Sequence, residues 1–334
     1  MDAITVIGAG SWGTALALLL AHNGETVNLW HHRPEQIQAM AQQRCNARYL
    51  PDIPLPDNLN LQIDIGQALA NAGTILLVVP SHAFARMVDL CVPWLRPNTK
   101  VVWGTKGLEP ETGRLLHEVV AEKLGADTAM AVLSGPSFAR EVALGMPTAV
   151  TIAANQVGFA AELQQQFHAS YFRVYTSDDL LGVQVCGVVK NVLAIAVGAS
   201  DGLGLGANAR AALITRGLTE MARLGTALGG KRETFMGLAG LGDLVLTATD
   251  NQSRNRRFGV ALGEGKDLFS LQQGMMNVTE GVSNVATVYR LAASLGVDMP
   301  IVEQVYKVLH QNLTPAAAMK ALLMRDPKTE RDQG

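Results

Sequence analysis

Residues 4–13 read Ile-Thr-Val-Ile-Gly-Ala-Gly-Ser-Trp-Gly, an apolar run that ends in a glycine-rich loop. The run predicts a β-strand, and the Ala/Leu-rich residues that follow the loop predict a helix. A G-x-G-x-x-G loop between a strand and a helix is the fingerprint of a dinucleotide-binding Rossmann unit. Gly8 permits the tight turn, Gly10 lets the backbone approach a diphosphate, and Gly13 lets the helix pack close to the strand. We therefore predict that this loop binds a nicotinamide dinucleotide.

Strands and helices alternate through the first half of the chain and then give way to helices alone. Strand patterns recur at residues 27–30, 74–79, 100–103, 129–133, 148–153 and 172–175. This alternation predicts βαβ units and a parallel, doubly wound sheet. From about residue 178 the patterns are helical. We predict an α/β fold with a Rossmann-type domain over residues 1–180, an all-helical substrate-binding and dimerisation domain over 181–325, and a charged tail over 326–334.

The composition excludes several classes of protein. The 334 residues carry a formal net charge of −2, so no basic field favours a nucleic-acid partner. The three cysteines, Cys45, Cys91 and Cys186, lie too far apart for paired disulfide or zinc spacings, which indicates reduced thiols in the cytoplasm. We find no secretory signal and no long apolar stretch that predicts a membrane span. No metal site is predicted.

The end of the second predicted strand bears on the choice of dinucleotide. An NAD-selective site places an Asp or Glu about 20 residues past the glycines, where it bonds the ribose hydroxyls. Here Trp30 is followed by His31, His32 and Arg33. No carboxylate repels a 2′-phosphate, and Arg33 is suited to bind one. We predict that NADP(H) is used at least as well as NAD(H), with solvated turn residues as the plain alternative.

Two lysines lie at positions that suggest a function. One is in an apolar helix pattern, where burial of a positive charge costs free energy, and the other follows a predicted strand. Lys190 is the only charged residue between Asp179 and Asp201, inside a long apolar helix pattern. It either extends to solvent or lies in a cleft with a partner, where burial would lower its pKa and suit it to proton transfer. Lys106 follows a predicted strand at the edge where doubly wound folds bind ligands, although a loop lysine is more often merely solvated.

A third cluster lies between residues 237 and 257. Asp243 follows a glycine-rich apolar loop, and Ser253, Arg254 and Asn255 offer a hydroxyl, a guanidinium and an amide in succession. Such a set is suited to a phosphate monoester, with the arginine as the main anchor. A solvated basic helix start is the plain alternative.

These segments together resemble bacterial NAD(P)-dependent glycerol-3-phosphate dehydrogenase. The resemblance runs from the Gly8 loop to about Glu280. It rests on long motifs in order: Val-Val-Pro-Ser at 78–81, Thr-Lys-Gly-Leu-Glu at 105–109, Ser-Gly-Pro-Ser-Phe-Ala at 134–139, Val-Lys-Asn at 189–191, Gly-Leu-Gly-Asp-Leu at 240–244, Asp-Asn-Gln-Ser-Arg-Asn at 250–255 and Thr-Glu-Gly at 279–281.

The resemblance implies the reversible reduction of dihydroxyacetone phosphate to sn-glycerol 3-phosphate for phospholipid synthesis, by a protein that pairs as a homodimer. It implies that Lys190 donates the proton, Lys106 polarises the same oxygen and Asp243 orients Lys190. The implied substrate-binding set is Lys106, Gly135, Ser137, Lys190, Asp243, Ser253, Arg254 and Asn255. The implied cofactor-binding set is Gly8, Gly10, Ser11, Trp12, Gly13, His32, Arg33, Lys106, Ala139, Arg254, Val278 and Glu280. The family varies at His31 and His32, which leaves the preference between NAD(H) and NADP(H) open.

Two other functions compete with this interpretation. One is a β-hydroxyacid-type dehydrogenase resembling 6-phosphogluconate dehydrogenase, which also uses a lysine on an interdomain helix but acts on substrates with a carboxylate. The other is a regulator that senses the dinucleotide without turning it over. The paired lysines count against the sensor, and the Ser253-Arg254-Asn255 set favours a phosphate-bearing substrate.

Overall fold

The computed structural model describes residues 2–274 and 280–326. Its main sheet has eight strands in the order β10-β9-β8-β7-β6-β1-β2-β5, and β3 and β4 form a separate antiparallel pair. The strand bounds are β1 Ala3–Ile7, β2 Val27–Trp30, β3 Cys45–Asn46, β4 Leu50–Pro54, β5 Leu59–Gln62, β6 Ala72–Leu77, β7 Lys100–Trp103, β8 Met130–Ser134, β9 Thr148–Ala154 and β10 Phe172–Ser177.

Helices cover the sheet and make up the second half of the chain. Their bounds are α1 Ser11–His22, α2 Pro34–Gln43, α3 Ile65–Leu69, α4 Ser81–Cys91, α5 Leu116–Leu124, α6 Ala139–Ala143, α7 Val157–Phe167, α8 Leu180–Gly202, α9 Gly206–Ala227, α10 Arg232–Met236, α11 Asp243–Thr249, α12 Arg254–Gly263, α13 Leu268–Gly274, α14 Glu280–Ser294, α15 Pro300–His310 and α16 Pro315–Leu323. A π-helical turn, Leu238–Gly242, leads into α11.

The seven predicted strands are confirmed, but the sheet is not wholly parallel. β9 pairs with β8 in antiparallel fashion, so β9 and its parallel neighbour β10 run against the other strands. Sequence patterning missed this reversal because an apolar strand reads the same in either direction. It also missed β5, whose residues are only partly apolar, and the short pair β3–β4. In the part of the chain that the structure describes, no strand follows β10.

Two hydrophobic clusters lie on opposite faces of the sheet. One contains Leu16 of α1, Ile37 of α2 and Phe159 of α7. The other contains Phe84 of α4 and Val119 of α5, and it continues into the helical half, with α8, α12, α14 and α15 contributing to it. The predicted domain boundary at residue 180 stays a prediction, since α8 begins at Leu180 but packs into the same cluster as the sheet.

Helix α8 is the central element of the helical half. It is long and apolar enough to cross a membrane, but 89% of its most apolar window is buried inside the protein, as expected of a core helix. It meets α12 backbone to backbone. A Cβ on Gly259 would lie 2.2 Å from the carbonyl oxygen of Ile195, and one on Gly198 would lie 2.2 Å from that of Arg256. Only glycine permits this approach.

We expect Gly259→Ala to lower the free energy of unfolding by about 1–3 kcal/mol, because the added methyl forces α12 away from α8. The measurement is chemical denaturation followed by circular dichroism. The matched control is Gly158→Ala in α7, where the added methyl meets open space and should leave stability equal or slightly higher. A Gly259 variant as stable as its control would contradict the close contact.

Candidate active site

The predicted ligand loops meet at one edge of the sheet. The glycine loop follows β1, the segment with His31 and Arg33 follows β2, Pro80 and Ser81 follow β6, and Lys106 follows β7. These four strands are parallel neighbours, so their carboxyl ends lie side by side. This is the edge where open α/β sheets bind their ligands.

The glycine loop has the shape that a diphosphate requires. Gly8 adopts a φ of +117°, and a Cβ there would lie 2.3 Å from the carbonyl oxygen of Val78. A Cβ on Gly13 would lie 1.9 Å from the carbonyl oxygen of Gly8, whereas one on Gly10 would meet nothing within 4 Å. Gly10 precedes the first turn of α1, which has no side-chain cap from the described residues. The loop therefore leaves bare backbone and N–H groups where an anion fits.

Neighbouring elements hold this loop in place. Nδ2 of Asn46, on the short strand β3, donates to the carbonyl oxygen of Ala9 at 3.0 Å and to Oγ1 of Thr14 at 2.8 Å. Ser11 Oγ donates to the carbonyl oxygen of Tyr49 at 3.1 Å. Sequence reasoning missed Asn46, because its contact with the loop depends on the unpredicted β3–β4 pair.

The segment after β2 presents Arg33 to solvent. His31 is buried, and its Nδ1 accepts a hydrogen bond from the backbone N of Arg33 at 3.1 Å. Burial is the main cause that lowers the pKa of His31 to about 4, so its ring is neutral. The exposed side chains of His32 and Arg33 lie one strand away from the glycine loop. Their predicted role at the adenosine ribose stays a prediction.

Asp243 bridges the two predicted lysines. Its Oδ1 accepts a hydrogen bond from Lys190 Nζ at 2.6 Å, and its Oδ2 accepts one from Lys106 Nζ at 2.6 Å. The side chains of Lys190 and Asp243 are 8% and 2% exposed, and that of Lys106 is 16% exposed. Lys190 therefore does not extend to solvent, and Lys106 is not merely a solvated loop residue.

The electrostatics of this cluster suit proton transfer near neutral pH. Burial is the largest influence on the pKa of Lys190, followed by the attraction of Asp243 and the repulsion of Lys106, and the result lies at about 7. Burial alone would raise the pKa of Asp243, but the two ammonium groups hold it below its usual value. The carboxylate thus stays ionised while Lys190 can gain or lose a proton.

The predicted substrate residues differ in the contacts that they make. Lys106 Nζ also approaches the carbonyl oxygen of Gly135 at 3.4 Å, and Ser137 Oγ donates to the same carbonyl at 3.0 Å. Ser253 caps α12 by accepting from the backbone N of Arg256 at 3.2 Å. Arg254, the first residue of α12, is exposed.

Asn255 differs from its predicted neighbours because both of its amide atoms are already bonded. Its Nδ2 donates to Asn191 Oδ1 at 2.9 Å, and its Oδ1 accepts from the backbone N of Gly281 at 2.9 Å. The side chain therefore joins α12, α8 and α14 in this structure. Its predicted contact with substrate stays a prediction.

Glu280 lies between the sheet edge and the helical half. Its Oε2 accepts hydrogen bonds from Ser81 Oγ at 3.3 Å and from Asn284 Nδ2 at 3.2 Å. Burial raises the pKa of Glu280 to about 7, while the nearby charge of Arg254 acts in the opposite direction. The predicted cofactor contact Val278 lies outside the described residues. Ala139 begins α6, and its cofactor contact stays a prediction.

Sequence reasoning gave no role to Thr247, Ser81 or Asn284. Lys190 Nζ donates to Thr247 Oγ1 at 2.8 Å, and Thr247 Oγ1 donates to Asp243 Oδ1 at 3.2 Å. The spacing of four residues between Asp243 and Thr247 on one helix is a signal that could have found Thr247. Within residues 2–274 and 280–326, no group of His, Cys, Asp and Glu is placed to hold a metal ion.

Comparisons with known proteins find similarity along nearly the whole chain. Residues 3–160 match the sequence model of the N-terminal part of NAD-dependent glycerol-3-phosphate dehydrogenase, and residues 179–320 match that of its C-terminal part. The chain is 54% identical over 328 residues to the glycerol-3-phosphate dehydrogenase (NAD(P)+) of Shewanella frigidimarina, covering 98% of this chain and 97% of that protein. The corresponding protein of Serratia proteamaculans is 55% identical over 329 residues, again covering 98% and 97%.

A solved structure shows the same fold across the chain. The crystal structure of glycerol-3-phosphate dehydrogenase from Coxiella burnetii superposes with a TM-score of 0.94 at 52% identity. The match covers 97% of this chain and 99% of that one.

We expect Asp243→Asn to lower the pKa of Lys190 below about 7, because the carboxylate is the charge that raises it. NMR titration of 13C-labelled lysine side chains measures this pKa directly. Asp178→Asn, which removes the exposed ion-pair partner of Lys231, is the control and should leave it unchanged. An unchanged or higher Lys190 pKa in the Asp243 variant would contradict the conclusion that the Asp243 carboxylate raises this pKa.

Proposed function

This chain belongs to the NAD-dependent glycerol-3-phosphate dehydrogenase family, and we propose that it catalyses the reversible reduction of dihydroxyacetone phosphate to sn-glycerol 3-phosphate with NAD(P)H. The product supplies phospholipid synthesis. The observation that carries the proposal is the buried carboxylate of Asp243 bonded at 2.6 Å to each of two lysines. The ammonium groups lie beside the sheet edge that carries the glycine loop.

Two lysines at this place match the charge that the reaction develops. When bound, the reduced nicotinamide supplies a hydride to the carbonyl carbon, and the carbonyl oxygen gains negative charge. Lys106 and Lys190 offer positive charge to that oxygen from a largely desolvated position, where electrostatic stabilisation is strong. Lys190 is the proton donor, since its pKa of about 7 lets it give up a proton near neutral pH. Asp243 and Thr247 orient its ammonium group.

The start of α12 is suited to the phosphate of the substrate. Arg254 is exposed at the first helical position, so its guanidinium can reach a ligand and form paired hydrogen bonds with phosphate oxygens. The N-terminus of α12 adds the favourable end of a helix dipole. This feature supports a phosphate-bearing substrate over the carboxylate-bearing substrate of the β-hydroxyacid enzymes.

We further propose that the protein acts in the cytoplasm as a homodimer that binds no nucleic acid. Cys45, Cys91 and Cys186 are all free, which supports a reducing compartment. The net charge of −2 supports the lack of a nucleic-acid partner. The homodimer rests on the family resemblance.

We expect Lys190→Ala to lower kcat by about 10²–10⁴-fold, the usual contribution of general acid catalysis, while cofactor binding persists. NADPH oxidation at 340 nm with dihydroxyacetone phosphate and with 3-oxoacids measures both the activity and the substrate class. Lys100→Ala, at the opposite end of β7, is the control and should keep full activity.

Three outcomes of this panel would count against the proposal. Near-normal turnover by Lys190→Ala would remove the assignment of the proton donor. Preference for 3-oxoacids would favour the β-hydroxyacid alternative. Absence of oxidation with every substrate would favour a dinucleotide sensor.

We expect Arg33→Ala to lower kcat/KM for NADPH about 10- to 100-fold, because a hydrogen bond to a charged group contributes about 1.5–3 kcal/mol. The value for NADH should change much less, since NADH lacks the 2′-phosphate. Steady-state kinetics with both cofactors measure the ratio. Arg96→Ala, paired with Asp2 at the opposite edge of the sheet, should leave the ratio unchanged. A strong preference of the unaltered enzyme for NADH would contradict the role of Arg33.

A further inference from the structure

The N-terminal end of α14 contacts the loop that carries Lys106. Asn284 is 3% exposed, and its Oδ1 accepts a hydrogen bond from the backbone N of Leu108 at 2.9 Å. Its Nδ2 donates to the carbonyl oxygen of Glu280 at 2.8 Å. Leu108 lies two residues after Lys106, and it is buried. One amide therefore fixes the Lys106 loop to a helix of the other half of the chain.

The N-terminal end of α14 also packs against the helix that carries Lys190. A Cβ on Gly281 would lie 2.5 Å from the carbonyl oxygen of Asn191, the residue after Lys190. Asn255 bonds both to the backbone N of Gly281 and to the side chain of Asn191. α14 thus contacts both the Lys106 loop and the Lys190 helix. Its position therefore helps to set the distance between these two segments.

The Lys106 loop has little room to move while Asn284 is in place. A Cβ on Gly107 would lie 2.2 Å from Cβ of Ser81 and 3.1 Å from Nδ2 of Asn284. The loop is therefore packed tightly between the start of α4 and the N-terminal end of α14. Removal of the Asn284 amide would leave empty space on the α14 side of the loop, and the buried N–H of Leu108 would lose its acceptor.

We propose that Asn284 is a positioning residue that sets the location of Lys106 relative to Asp243 and Lys190. The inference rests on the proposed function, and it assigns Asn284 no contact with substrate. The Lys106 side chain is long and has many rotamers, so its backbone must be fixed if its ammonium is to stay within hydrogen-bond distance of Asp243. Small displacements of a catalytic group are known to lower rates strongly.

The first experiment is a double-mutant cycle on kcat. We expect Asn284→Ala to lower kcat about 10- to 100-fold, as a displacement near 1 Å does. In a Lys106→Ala background the same change should have almost no further effect, because the residue acts through Lys106. If the two single losses multiply in the double variant, or if Asn284→Ala keeps normal kcat, the proposal is overturned.

The matched control is Asn155→Ala. The Asn155 side chain makes the same kind of bonds, since Oδ1 accepts from the backbone N of Met130 at 2.8 Å and Nδ2 donates to the carbonyl oxygen of Thr128 at 2.9 Å. It does so at the start of β8, away from the lysines. We expect this variant to keep the kcat of the unaltered enzyme.

The second experiment does not depend on turnover. Lys106 lowers the pKa of Lys190 and Asp243 raises it, so a displaced Lys106 should leave Lys190 with a higher pKa in Asn284→Ala. Lysine NMR measures the shift. An unchanged Lys190 pKa would overturn the positioning role even if the enzyme turned over no substrate. Conversely, an upward shift without NADPH oxidation by the unaltered enzyme would contradict the proposed function alone.

The conservative variant Asn284→Asp tests whether the loss of kcat in Asn284→Ala comes only from a general disturbance of the structure. Asn284→Asp keeps the oxygen that accepts from Leu108, and the neighbouring Glu280, whose pKa already lies at about 7, can share a proton with the new carboxyl group. We expect it to recover most of the kcat lost in Asn284→Ala and to leave the Lys190 pKa near that of the unaltered enzyme. Equal losses in both variants would contradict the role of the Leu108 bond.

Discussion

A single carboxylate, that of Asp243, holds together the charges on which the site depends. Two ammonium groups near one another in a poorly hydrated place repel, and each one loses hydration on burial. Asp243 offsets both effects by bonding each lysine through a different oxygen at 2.6 Å. It also opposes the fall in the Lys190 pKa that burial and Lys106 produce. The contact between the two lysines and the protonation of Lys190 therefore both depend on this carboxylate.

The scaffold around Asp243 consists mainly of close backbone contacts. The carboxylate begins α11 directly after a π-helical turn, a local irregularity that is frequent at functional sites. Lys190 lies on α8, which meets α12 through paired glycines at Gly198 and Gly259. Such contacts permit little sliding, because at these two glycines backbone meets backbone directly. The rigidity suits a site whose groups must stay aligned.

Sequence patterning predicted those parts of the fold and site whose signals are local. The glycine loop, the strand patterns and a lone Lys190 in apolar helix are each visible in a few consecutive residues. Asn284 and Ser81 left no such signal, because a buried amide or hydroxyl acquires a role only when distant backbone meets it. The direction of β9 and β10 was likewise hidden, since strand direction depends on the connections and not on the residues within the strand. The predicted role of Ser137 came from the family resemblance alone, because no local pattern indicates it.

The charges in the proposed reaction also relate substrate binding to proton donation. With a pKa of about 7, Lys190 is only partly protonated at neutral pH. In the proposed complex, a phosphate held by Arg254 would add negative charge to the cleft, and a developing alkoxide would add more. Both favour the charged form of Lys190, so its pKa rises as the substrate binds and as the hydride arrives. Lys190 therefore keeps its proton until the hydride has placed negative charge on the substrate oxygen. Carbonyl reduction requires this order of hydride transfer and proton transfer. In the reverse direction, the neutral form of Lys190, which a pKa of about 7 makes available, accepts the proton of the alcohol as the hydride leaves its carbon, so one side chain serves both directions of a reversible reaction.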